Sequence, residues 1–344
     1  MNWEIIGHGH IINYLEHAIV NDRLAHAFLF YGPKQLGKKK LAMQFAKILL
    51  CCQNKFDSLE KINPIDLNQK FPCGSCEHCV EFDKGTHPDF YALEKNKQEK
   101  NISVDQIREL RSQLSNKSFF KSYKIVIIEN AESMSLAASN SLLKTIEEPR
   151  GKTVIILTAE SLSALPKTIL SRTQKIKFLP VSTKEIYDYL IRHKKIEHKE
   201  ASDIANISQG RPGRSIIFAS SQHLWKIYND NINTFFKLIS ATDYQKIGFV
   251  ENLLEKQKKI IDKNNIIFPM LNLWQTLFRD ILLLKNDLSV KIVNSKVRTE
   301  LETLEPYFTI IKLYQIDKIL EQTKKYLKQN VNPRLVLENL VLNF

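Results

Sequence analysis

All five cysteines of the 344-residue chain lie between positions 51 and 79. Cys73-Gly-Ser-Cys76-Glu-His-Cys79 sets three thiols at two-residue gaps. Turns at that spacing aim successive sulfurs at one centre, as tetrahedral zinc requires. A fourth ligand is needed, and Cys51 and Cys52 both stand at the end of the preceding helix. His78 is a weaker candidate, because Cys76 and Cys79 already hold that corner. A closed set of four ligands is structural, since a catalytic zinc keeps one position open for water. The competing reading is a group of buried or redox thiols. A disulfide framework would spread its crosslinks and would need an oxidising compartment.

A second group of residues points to phosphate. Gly32-Pro-Lys-Gln-Leu-Gly37-Lys38 fits the loop whose backbone amides and lysine cradle phosphates at a helix N-terminus. The pattern then asks for Ser or Thr to bind Mg²⁺, and this chain has Lys39. Hydrolysis also asks for an acidic pair at the end of an apolar strand. The chain offers Ile127-Ile128-Glu129-Asn130, and Asn130 has no basicity with which to activate water. Two elements of hydrolysis are therefore compromised together, which predicts a phosphate cradle that no longer runs the reaction and leaves ATP binding open. Lys38, Lys39 and Lys40 also allow a nucleic-acid patch, but the first turn of a phosphate-loop helix favours phosphate or plain solvation.

These groups need a scaffold, and the first half of the chain supplies one. Short apolar runs alternate with helical patterns, the sign of βαβ units and a parallel sheet. Strands are predicted at 27–31, 89–93, 124–129, 153–158 and 176–179, with helices from the loop to Leu50, over 104–114 and over 135–146. After Pro180 the strands stop. Ser182-Thr-Lys-Glu185 is a capping box opening a helix to about Arg192. From about residue 225 only helical periodicity remains, and Asn332 with Pro333 starts the last helix. The expected architecture is an α/β domain over 1–180 with the thiol module at about 51–79, a helical lid over 181–220, and an all-α domain over 221–344.

Composition sets the outer bounds. Hydrophobic residues make up 43% and charged residues 25%, the profile of a folded chain rather than a disordered one. The best apolar run, Leu277 to Leu284, is broken by Arg279 and Asp280 and falls short of a membrane span. No secretory signal is visible at the N-terminus, and a cytoplasmic location is expected. Fifty basic residues against 37 acidic give +13, which permits nucleic-acid contact without requiring it.

Several stretches together resemble the AAA+ subunits of the bacterial DNA polymerase III clamp loader. They are Gly7-His-Gly-His10, His26-Ala-Phe-Leu-Phe-Tyr-Gly-Pro33, the cysteine insert, Thr86-His-Pro-Asp89, Asn140-Ser-Leu-Leu-Lys-Thr-Ile-Glu-Glu-Pro149 and Leu170-Ser-Arg-Thr173. The resemblance covers about the first 215 residues by motif and the remainder by helical pattern. It implies a minimal zinc module after the first AAA+ helix, with Cys51 rather than Cys52 joining Cys73, Cys76 and Cys79. It also implies a lid and an all-α collar that closes a pentameric ring. Gamma or tau and delta subunits would be the partners, with the sliding clamp and primed DNA engaged by the whole complex.

ATP-hydrolysing members of that family, gamma or tau, carry an intact Gly-Lys-Ser/Thr and an Asp-Glu pair, and this chain has neither. The resemblance makes Arg172 a trans arginine finger for a neighbour's ATP, although the usual Ser-Arg-Cys is Ser-Arg-Thr here. Without the resemblance Arg172 reads as surface. Arg214 falls in the lid's sensor region and fits either lid packing or nucleotide contact, and Thr158 is a strand-end threonine or a sensor. The expected function is a non-hydrolysing stator. The alternatives are an active gamma/tau-like ATPase and a zinc-dependent nucleic-acid-binding module. The cysteine turn, with Gly74, Ser75, Glu77 and His78, lacks the basic and aromatic residues that the last would use.

Overall fold

The structure, a computed structural model, describes residues 1, 3–52, 72–95, 101–120, 123–255, 266–288 and 292–344. Much of the segment that links Cys52 to Cys73 lies outside these residues. The apolar runs become strands of one parallel sheet, because a sheet covered on both faces buries both sides of its inner strands. β1 (Ala27–Tyr31), β2 (Phe90–Leu93), β3 (Lys124–Ile128), β4 (Thr153–Ala159) and β5 (Gln174–Lys177) lie in the order β2-β3-β4-β1-β5. β1 is an inner strand between β4 and β5, with Ala27 beside Ile155 on one side and Phe28 beside Gln174 on the other.

The two-residue period of the strands divides the core. Phe28, Phe30, Ile125, Ile127, Val154 and Ile156 bury one face against α1 (Gly9–Val20), α2 (Lys38–Leu50) and Phe82 of α3 (Glu77–Lys84). Ala27, Leu29, Val126, Ile128, Ile155 and Leu157 bury the other against α4 (Val104–Ser115), α5 (Leu136–Glu147) and Ile169 of α6 (Lys167–Leu170). Phe45 of α2 meets Phe28 edge to face at 5.5 Å, and cutting such a buried ring to alanine costs ~3–5 kcal/mol. α4 starts at a full capping box, Ser103 with Gln106, which fixes its first turn.

Two expected elements shift by more than one residue. β5 begins two residues before the expected Ile176, because the ladder with β1 pairs Phe28 with Gln174 and Tyr31 with Lys177. The ladder closes where Phe178 N–H donates to the Tyr31 carbonyl. The capping box opens α7 (Thr183–Tyr189), with Glu185 N–H donating to Ser182 Oγ and Ser182 N–H to the Glu185 carboxylate. A wider turn over Leu190–Lys194 then ends the helix at Lys195, in the left-handed region at φ 53°.

The remaining helices are α8 (His198–Ile207), α9 (Pro212–Ser220), α10 (Gln222–Ile239), α11 (Asp243–Glu255), α12 (Phe268–Lys285), α13 (Arg298–Leu304), α14 (Ile310–Lys328) and α15 (Pro333–Leu342). Two compact units result, residues 1–186 with 210–213 and residues 187–209 with 214–344. The second is wholly helical among its described residues. Its core gathers Phe235, Trp274, Phe278, Leu301, Ile316 and Leu340. Asp280, which in sequence only interrupts an apolar run, is fully buried there. It accepts Val293 N–H at 3.1 Å and Asn294 N–H at 2.8 Å, and Asn294 in turn takes the Tyr228 hydroxyl at 2.6 Å. Among the described residues no helix is long and apolar enough to cross a membrane.

Candidate functional site

The phosphate loop leaves the carboxyl end of the inner strand β1, the end at which parallel α/β sheets collect ligands. Gly32 opens it at φ 146°, and a Cβ there would lie 2.4 Å from the Phe178 carbonyl oxygen, so only glycine fits. Gly37, at φ 94°, is the N-cap of α2. Lys38 turns its ammonium back onto the loop, donating to the Gly32 carbonyl and, at 2.7 Å, to that of Pro33. Burial lowers the Lys38 ammonium from its ordinary value, with Glu160 and Glu132 opposing the shift.

Other segments hold the loop in shape. The His8 ring, buried against Phe178, donates through Nε2 to the Leu36 carbonyl at 2.8 Å. A carbonyl can only accept, so this contact also fixes the tautomer. Gly213 N–H donates to the Gln35 carbonyl at 2.8 Å. The Gly7-His8-Gly9 stretch, noticed in sequence only as a motif, is thereby a support of the loop. Its one readable signal is His8 between two glycines, and the structure puts it in the left-handed region at φ 60°.

Lys39 stands where the pattern wants a hydroxyl. Its Nζ lies 2.6 Å from Glu129 Oε1 at the end of β3 and 3.7 Å from Glu94 Oε2 just beyond β2. The hydrogen bond with Glu129 raises the Lys39 ammonium above its ordinary range. The next residue, Asn130, is left-handed at φ 49° and donates its N–H to Thr158 Oγ1 at 3.1 Å. Thr158 is therefore engaged with the backbone after β3. Lys34 pairs with Glu160 at 2.9 Å. A divalent cation does not fit this donor set, because an ammonium already fills the approach to Glu129 and Mg²⁺ needs an oxygen shell at ~2.1 Å.

Four thiols converge at the far end of α2. Cys51 is the C-cap of that helix and Cys76 the N-cap of α3. The sulfurs of Cys51, Cys73, Cys76 and Cys79 all lie within 4.8 Å of one another, with 3.6 Å from Cys51 to Cys73 and 3.9 Å from Cys73 to Cys79. Zn–S bonds of ~2.3 Å in a tetrahedron put sulfurs ~3.8 Å apart, so the set fits zinc in chemistry and in size. Backbone N–H groups support it, Cys76 N–H meeting Cys73 Sγ at 3.4 Å and Cys79 N–H meeting Cys76 Sγ at 3.5 Å. Burial pushes the Cys73 thiol up, but N–H groups of Ser75 and Cys76 outweigh it and bring it down to about 6. Cys52 is exposed and outside the four. His78 turns instead to His87, Nδ1 to Nε2 at 3.1 Å, and to the Phe120 ring.

Arg172 follows α6 on an exposed turn. It donates through Nε to Glu147, the last residue of α5, and through Nη1 to the Thr168 carbonyl at 3.2 Å. Arg214 lies over the Phe218 ring at 5.6 Å, a cation–π contact within the helical unit.

Comparison with known proteins follows the same division of the chain. The profile described as "DNA polymerase III, delta subunit" matches residues 7–182, and that described as "DNA polymerase III, delta subunit, C terminal" matches 222–344. DNA polymerase III subunit delta' of Pseudomonas aeruginosa is 36% identical over 190 residues, 55% of this chain and 54% of that protein. The Bacillus subtilis subunit delta' is 34% identical over 181 residues, 53% of this chain and 50% of that protein. The chain thus spans about half the length of these relatives. DNA polymerase III subunit tau of Bacillus subtilis is 25% identical over 357 residues, 98% of this chain and 60% of that protein. The five-stranded parallel sheet, the phosphate loop after one of its inner strands and the helical region beyond are the α/β-then-helical architecture that the sequence implied. With both profiles matched and those relatives alongside, the chain belongs to the DNA polymerase III delta subunit family.

Proposed function

We propose that this protein is a non-hydrolysing clamp-loader subunit, a stator that completes a ring and lends Arg172 in trans to a neighbour's ATP. The observation that carries the reading is the Lys39–Glu129 ion pair at 2.6 Å, which stands where a hydrolysing loop has a hydroxyl and a free acid. The remaining assignments rest on the family. Residues 181–220 form the lid and 221–344 the collar, the collar joins gamma/tau and delta subunits in a pentamer, and the complex opens the sliding clamp on primed DNA. Cys51, Cys73, Cys76 and Cys79 hold one zinc, which supplies a structural crosslink between α2 and α3.

The second reading, an active gamma/tau-like ATPase, draws on the likeness to a tau subunit over 98% of the chain. One experiment separates the two. ATP turnover by the isolated chain is compared with that of Lys38→Ala, which removes the loop's cation. The stator reading expects equal, background rates. Turnover in the wild type that disappears in the variant establishes the motor instead.

A further inference from the structure

We propose that the Lys39 ammonium is a built-in replacement for the divalent cation of the phosphate loop, and that it closes a latent divalent site formed by Glu129 and Glu94. The inference rests on the reading of the loop as non-hydrolysing and goes further, because it says what fills the metal's place and what the carboxylates would do without it.

The geometry begins with the ends of two neighbouring strands. Parallel pairing sets Leu93 beside Ile128. The residues that follow, Glu94 and Glu129, therefore leave the same carboxyl end of the sheet side by side. Two like charges so placed repel unless a cation lies between them. Lys39 supplies one, 2.6 Å from the first carboxylate and 3.7 Å from the second. It comes from the first turn of α2, where a hydroxyl would complete a metal's oxygen shell. An ammonium is a compact charge with three donors and no acceptor, so it neutralises carboxylates and ligates nothing. Glu129 is only 13% exposed, which makes an uncompensated charge there costly. Lys39 is 57% exposed, so its side chain can be shortened without opening the core.

Shortening that side chain to a hydroxyl leaves two carboxylates and an oxygen donor around a vacated space. Those are hard oxygen ligands of the kind Mg²⁺ and Mn²⁺ take, whereas the thiol cluster selects soft metals. The wild-type loop, by the same argument, takes up no divalent ion through Glu129.

Mn²⁺ titration of the zinc-loaded full chain, followed by electron paramagnetic resonance, tests this with Lys39→Thr, Lys39→Ser, Glu129→Gln and the double variant Lys39→Thr/Glu129→Gln. Zinc content and circular dichroism confirm that each chain is folded, and the serine variant serves if the threonine one is not. The expected result is about one extra Mn²⁺ per chain in Lys39→Thr, absent from the double variant. The wild type and Glu129→Gln should give superimposable titrations. Lys39→Thr binding no more Mn²⁺ than wild type, or extra binding that survives in the double variant, overturns the proposal. So does wild-type binding that Glu129→Gln abolishes. ATP turnover is not read in this experiment, so the stator reading stands or falls separately.

Discussion

Arg172 and Glu147 are held together by an ion pair between two exposed turns, the arginine following α6 and the glutamate closing α5. The guanidinium proposed to serve a neighbouring subunit is thus occupied by a carboxylate of its own chain. That pair competes with any approach of the same guanidinium to a neighbour's phosphate.

Arg172→Ala should leave this chain folded and able to assemble, since an ion pair this exposed contributes under ~1 kcal/mol. A finger acts on charge that grows in the transition state, and losing one costs ~10³-fold or more at the site served. A ring with several active sites would lose only that site's turnover. DNA-stimulated ATPase and clamp loading of a reconstituted complex should therefore fall in part, and Arg172→Lys should not restore them, because a point charge lacks the guanidinium fork. Glu147→Gln, which loosens the pair, should keep ATPase at or above the wild-type level. Equal rates for wild type and Arg172→Ala would make Arg172 ordinary surface.

The freshly purified chain should contain about one zinc. Cys51→Ser should lose it and Cys52→Ser should keep it, as read by metal analysis. Chelation should lower the unfolding temperature of the α/β unit, with a loss on the order of several kcal/mol, because the metal's binding energy is also folding energy. Zinc that persists in Cys51→Ser and vanishes in Cys52→Ser moves the fourth ligand.

His8 gives the loop support a pH dependence. Burial, opposed by the hydrogen bond to the Leu36 carbonyl, holds its imidazole below the ordinary 6.5. With the folded value depressed, the unfolded chain takes up the proton first. The His8 contribution to stability is then complete above about 6.5 and declines as pH falls from there through the folded value. Glutamine can donate to the same carbonyl without titrating. Unfolding temperatures between pH 7.5 and 5 should therefore drop less in His8→Gln than in the wild type, and parallel curves would falsify this account.

Asp280→Ala should destabilise the helical unit by ~3 kcal/mol or more, because it strands the N–H groups of Val293 and Asn294 in the core. Asp280→Asn should not rescue fully, since its amide would turn a donor toward those donors. Urea unfolding followed by tryptophan fluorescence reads both variants.

Local pattern made much of this legible. Strand β1 lies where its apolar run put it, the Ser182 capping box forms, and Asn332 caps α15 through its side chain. Three of the thiols that converge are those whose spacing implied convergence, and the fourth, Cys51, is the one that the resemblance implied. What the sequence concealed is pairing across distance. Glu147 sits 25 residues from Arg172, and Leu36 lies 28 from His8. Neither pair has a period or a spacing to betray it. The burial of Asp280 was hidden for the same reason, because the backbone donors that permit it come from a separate stretch of chain.

One helix joins the two chemical ends of the α/β unit. α2 begins at Gly37 of the phosphate loop and ends at Cys51 of the thiol cluster. At ~1.5 Å per residue it is a rod of ~20 Å with an anion-shaped socket at one tip and a sulfur anchor at the other. Oxidants that crosslink the thiols would take ligands from any metal held at the far tip, so a protein stored without reductant would age first at its sulfur anchor.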